Sequence, residues 1–72
     1  MNTKILARLG EQLKFLRKDK GYTQEELAEK VGVHQTYIGK IESGKSNIST
    51  MMLFKLSRAL GVNLSKIFEF DK

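Results

Sequence analysis

Residues 22–44 read Tyr22-Thr23-Gln24-Glu25-Glu26-Leu27-Ala28-Glu29-Lys30-Val31-Gly32-Val33-His34-Gln35-Thr36-Tyr37-Ile38-Gly39-Lys40-Ile41-Glu42-Ser43-Gly44. Thr23, with Glu26 three residues on, has the form of a capping box, and Tyr22 can pack on Leu27 across the same helix start. Leu27, Ala28 and Val31 give a short apolar face that ends at Gly32, which predicts a helix of about two and a half turns. His34 or Gln35 opens the next helix, Ile38 and Ile41 share one face of it, and Gly44 closes it. Ala28 permits close approach, Gly32 can take positive φ, and the two isoleucines hold the second helix across the first. The stretch is a helix, a glycine turn and a helix whose other face points outward.

On the N-terminal side, Leu6, Leu9, Leu13 and Leu16 are spaced three, four and three residues apart, which lines one face of a helix from about Thr3 to Lys20. Its last turn is basic and Gly21 ends it. On the C-terminal side, Ser49 can cap a fourth helix stapled by Ile48 and Leu53, with Leu53, Leu56 and Leu60 buried before Gly61. Asn63 repeats the device for a short fifth helix holding Leu64, Ile67 and Phe68, stapled by Val62 and Ile67, before the tail Phe70-Asp71-Lys72. No alternating strand pattern occurs, and the connections are short. The expectation is an all-α fold, five helices around one core, with residues 1–72 as one domain.

Composition narrows the function. Seventy-two residues, 40% of them apolar, make a thin core that leaves no room for a cofactor-sized cavity. No Cys is present, and a single His leaves little for metal or acid–base chemistry, so no cofactor, metal or small-molecule ligand is expected and no enzyme. The longest apolar run, Met51 to Phe54, is far below the roughly 20 residues that cross a bilayer, so no membrane partner and a cytoplasmic location are expected. Thirteen Lys and Arg against eight Asp and Glu give a formal charge of +5, which favours a polyanionic partner.

The outward face of the third helix carries Gln35, Thr36, Gly39 and Lys40, with Tyr37 and His34 at its margins and Glu42 as its one carboxylate. Gln pairs with adenine through donor and acceptor together, Lys with guanine acceptors, and a Thr methyl with the thymine methyl, so the set suits a major groove. The plainer reading is a solvated helix face. Glu25, Glu26 and Glu29 gather on the second helix, separating the charges. Gly39 to Ser46 also matches the phosphate-loop pattern G-x-x-x-x-G-K-S, but that loop needs a preceding strand and an α/β domain, and here Gly39 lies inside a helix. That match is chance.

Thr23-Gln24-Glu25-Glu26-Leu27-Ala28, Gly32, and Tyr37-Ile38-Gly39-Lys40-Ile41-Glu42-Ser43-Gly44 together resemble the Cro and phage-repressor (XRE) helix-turn-helix family, over roughly residues 10 to 68. Leu56-Ser57-Arg58-Ala59-Leu60-Gly61-Val62 is similar to that family's fourth helix and turn. The chain resembles both short phage repressors and the controller proteins of restriction-modification systems, although controllers often have Arg where this chain has Gln35. The resemblance implies a lambda-repressor-like fold and a transcriptional regulator that binds double-stranded DNA. It implies that Gln24 binds phosphate and braces Gln35, which reads a base edge, and that Thr36 and Lys40 reach further edges. Tyr37, Lys45, Ser46 and Asn47 would hold the backbone. His34 is a DNA-contact candidate, but is more often a turn or cap residue. It implies also that Arg17 pairs with Glu42, turning the guanidinium toward DNA while tying helices one and three together. Leu64, Ile67, Phe68 and Phe70 put more apolar surface at the chain end than one short helix can turn inward, which suggests a homodimer on a palindromic operator. The competing reading is a protein–protein adaptor or antitoxin that uses this apolar end.

Overall fold

The computed structural model describes residues 3–70 and carries α1 (Thr3–Lys20), α2 (Gln24–Val31), α3 (Gln35–Glu42), α4 (Thr50–Leu60) and α5 (Leu64–Ile67). Among the described residues there is no strand. Asp71 and Lys72 of the expected tail lie outside the described residues. No helix among the described residues is long and apolar enough to cross a membrane.

Local chemistry sets the helix starts. Thr23 Oγ1 accepts the Glu26 N–H at 3.0 Å and Glu26 Oε1 accepts the Thr23 N–H at 2.8 Å, so both halves of the capping box are made. Ser49 Oγ accepts the Met52 N–H at 3.1 Å and starts α4. Asn63 departs from expectation: its side chain makes no cap hydrogen bond. In so short a helix, the Asn63 carbonyl accepting the Lys66 N–H at 2.9 Å closes the first turn.

The apolar stripes meet in one core built from Leu9, Leu13 and Leu16 of α1, Leu27, Ala28 and Val31 of α2, Ile38 and Ile41 of α3, Leu56 and Leu60 of α4, and Ile67 of α5. Leu6 and Leu53, at the ends of their stripes, are half-buried. Ile67 was expected at a partner interface and is instead 0% exposed. A helix of four residues has one inward position, and the core takes its branched side chain there. What α5 leaves outside is Leu64 and Phe68, while Phe70 folds back against the core with its ring 6.3 Å from that of Phe68.

The placement of α3 depends on close backbone approach to α1. A Cβ on Gly10 would press into the Ile41 carbonyl oxygen and sit 2.7 Å from the Glu42 carbonyl oxygen. Gly44, at φ +75°, takes a left-handed turn that other residues resist, and a Cβ there would meet Ala7 Cα at 2.7 Å. Ala7 and Gly10 therefore make the seat into which the C-terminal end of α3 is pressed. With that end fixed and Ile38 and Ile41 locked into the core, the opposite face of α3 is left at the surface.

Candidate nucleic-acid interface

Gln35, Thr36 and Lys40 are exposed on α3, with Tyr37 and Gly39 half-buried beside them. Gln24 from the first turn of α2, Gln35, Thr36, Gly39 and Lys40 from α3, and Ser43 and Lys45 just after it line one shallow depression. Five of the residues expected to touch DNA thus share one concave surface. Its donors are amide, hydroxyl and ammonium groups, and no carboxylate lines it. Ser43 was not anticipated; it follows α3 and its hydroxyl donates to the Lys40 carbonyl at 3.2 Å.

The other candidates, Tyr37, Ser46, Asn47 and His34, are not among the residues that line this depression. Tyr37 packs its ring against the core. In the loop after α3, the Lys45 N–H donates to the Lys40 carbonyl at 2.9 Å and the Ser46 hydroxyl to the Asn47 carbonyl at 3.2 Å. Lys45 and Asn47 are exposed and Ser46 is half-buried. His34 is a cap: its Nδ1 accepts the Thr36 N–H at 3.1 Å. It shares a second hollow with Glu25, Glu29 and Gln35, so the charges of α2 and α3 are less separated than the sequence suggests. Two carboxylates beside an imidazole make a poor seat for phosphate.

Below the depression lies a buried ion pair. Arg17 Nε donates to Glu42 Oε2 at 2.7 Å and Nη2 to Glu42 Oε1 at 3.1 Å, a bidentate pairing between α1 and the last residue of α3. Arg17 Nη1 donates to the Tyr22 carbonyl at 2.7 Å. The side chains are 8% and 4% exposed, so the expectation that Arg17 turns toward DNA is corrected. All three guanidinium nitrogens are engaged inside the protein. Burial without these partners would be costly for both charges, which is why the fork is fully engaged. Gln24 Nε2 adds a third donor, to Glu42 Oε1 at 3.0 Å. The hydrogen bond of Gln24 runs to Glu42, not to Gln35 as the brace would require. Among the described residues no buried side-chain nitrogen or oxygen lacks a partner.

Comparison with known proteins agrees with this arrangement. Residues 13–67 match the HTH_3 family, described as helix-turn-helix. The chain is 43% identical over 65 residues to the control protein C.MunI of a Mycoplasma species, covering 89% of this chain and 88% of that protein. It is 39% identical over 62 residues to the transcriptional regulator SinR of Bacillus subtilis, covering 85% of this chain and 56% of the longer SinR. The crystal structure of the restriction-modification controller protein C.AhdI from Aeromonas hydrophila superposes with a TM-score of 0.85 at 36% identity, over 88% of this chain and 96% of that one. The capped α2, the glycine turn and α3 all lie within the matched residues, and the chain belongs to the HTH_3 helix-turn-helix family of DNA-binding transcriptional regulators.

Proposed function

We propose that the protein binds a palindromic operator as a homodimer, each copy laying α3 in a major groove and reading base edges with Gln35, Thr36 and Lys40. The observation that carries this reading is the single depression shared by Gln24, Gln35, Thr36, Lys40 and Lys45, donor-rich, free of carboxylates and set on a helix whose opposite face is locked into the core. Lys45 within this surface, and Tyr37 and Asn47 near it in the chain, carry ammonium, hydroxyl and amide groups that suit phosphate contact. His34 serves the interface as the cap that starts α3. Similarity to a control protein and to a controller of restriction-modification systems supports a regulatory role of the same kind.

The two-fold part of the reading rests on Leu64 and Phe68, which are 39% and 47% exposed beside the half-buried Phe70. One short helix offers few base contacts, and two copies reading half-sites about 10 base pairs apart multiply both affinity and specificity. Selection of bound sequences from a random duplex pool tests the whole proposal. The expected product is an inverted repeat, and affinity for it falls steeply with added salt as counterions are released. A protein that enriches no sequence and binds DNA without salt dependence would instead be an adaptor.

A further inference from the structure

A further hollow shares no residue with the depression on α3 and takes nothing from the apolar chain end. It is lined by Lys30 and Val31 from the last turn of α2 and by Phe54, Lys55, Arg58 and Ala59 from α4. Along α4, Phe54, Lys55 and Arg58 follow Met51 at three, four and seven positions, so the four side chains share one helix face, turned away from the buried Leu56, Ser57 and Leu60. Met51 is 62% and Phe54 48% exposed, which leaves apolar surface in water where a partner would cover it. Lys30, Lys55 and Arg58 are exposed, no carboxylate lines the hollow, and among the described residues none of the three is in an ion pair. Two of them rest on rings instead. The Arg58 guanidinium stands 5.6 Å from the centre of the Phe54 ring, and the Lys30 ammonium 5.0 Å from that of Tyr22. A cation held against a ring keeps its outward N–H groups for an anion.

We infer that this face docks an acidic amphipathic helix of another protein, with bulky apolar side chains seated against Met51 and Phe54 and carboxylates paired with Lys30, Lys55 and Arg58. Charge and shape select this occupant over two others. A second copy brought in by a two-fold axis would set Lys55 and Arg58 against their own equivalents, like charges facing across an interface. A duplex brings phosphates to the cations but sets its charged backbone against two exposed apolar side chains. An acidic helix answers both features at once, because its apolar anchors recur every three or four residues, as Met51 and Phe54 do, and its carboxylates flank them. The inference does not depend on which bases α3 reads or on how the chain pairs with itself.

The test titrates a synthetic peptide of about 16 residues, long enough to hold a helix, with leucine along one face and glutamate elsewhere, into the isotope-labelled full chain and follows backbone amide shifts. Saturable shifts centred on Lys30, Val31, Phe54, Lys55 and Arg58 are expected, and a matched peptide with lysine for glutamate is expected not to bind. Phe54→Ala, shown folded by a thermal melt, is expected to weaken the glutamate peptide about tenfold. The charge swap Lys55→Glu with Arg58→Glu is expected to lose the glutamate peptide and to take up the lysine one, a gain that misfolding does not produce; it decides alone if Phe54→Ala unfolds. A glutamate peptide that binds nowhere, that shifts α3 or Leu64 and Phe68 instead, or that the lysine peptide matches in affinity overturns the inference. Random duplex DNA that shifts the Phe54, Lys55 and Arg58 amides assigns the face to nucleic acid, and shifts of the same amides on dilution without peptide assign it to a second copy; either result overturns it too.

Discussion

Removing either member of the Arg17–Glu42 pair leaves the other charge in a site closed to water, and that consequence outweighs any worth of the pair itself. Arg17→Ala and Glu42→Ala should each cost about 3–5 kcal/mol of folding free energy, far above the 0–1 kcal/mol of an exposed pair. The double variant should lose much less than the sum, because it strands neither charge. A double-mutant cycle by urea unfolding measures this, and a coupling indistinguishable from zero would mean that Glu42 and Arg17 are stabilised independently. The pair is separated by 25 positions, so no local pattern announces it; only the family resemblance pointed to it, and the resemblance misjudged where the guanidinium turns. Gly10 was not legible at all. In sequence it is a weak helix former inside a leucine stripe, and only the backbone of α3 against it explains why no side chain fits. Gly10→Ala should destabilise by about 1–3 kcal/mol, as overpacking does, despite the better helix propensity of alanine; a thermal melt showing a gain would remove the seat from the account.

At the scale of elements, the signals that were legible are those completed within a few residues. The start of α2 needs only Thr23 and Glu26, and the ends of α1, α2 and α4 need only a glycine past the last turn, so these boundaries could be read directly. The start of α5 was legible too, at Asn63, although that residue has the identity of a cap without the side-chain hydrogen bond. The depression was not, because it joins the first turn of α2 to the exposed face of α3 and the loop after it through tertiary packing. That arrangement predicts two different kinds of loss. Gln35→Ala should cost about 1–3 kcal/mol at one base pair and relax specificity there. Lys45→Ala should weaken binding to every duplex and lower the slope of log affinity against log salt by about 1, as loss of one phosphate contact does. Titrations at several salt concentrations against operator and scrambled duplex distinguish them. Equal behaviour of the two variants would dissolve the division between reading and holding.

For the whole molecule, the question is what covers the apolar surface that the C-terminal end leaves out, one of several exposed apolar sites beside Ile5, Phe15, Met51 and Phe54. Ile67 closes the core from α5, and this takes the one inward position of that helix, so Leu64 and Phe68 remain outside on the same short segment with Phe70 beside them. A second copy related by a two-fold axis would cover this patch and at the same time present two α3 helices to one face of a duplex. The two gains are linked. In the proposed dimer, pairing would concentrate the second recognition helix at its half-site, so a variant that cannot pair should lose affinity without losing structure. Phe68→Glu is the decisive change, because it puts a charge at the centre of the proposed contact and removes nothing from the core: its side chain is 47% exposed, against 0% for Ile67. It is expected to keep its helical circular dichroism, to sediment as a monomer at high micromolar concentration where the parent is a dimer, and to lose most operator affinity. Ile67→Glu is the contrasting control, expected to unfold. A parent that sediments as a monomer with and without operator would leave Leu64 and Phe68 to a different partner, and recognition to a single helix.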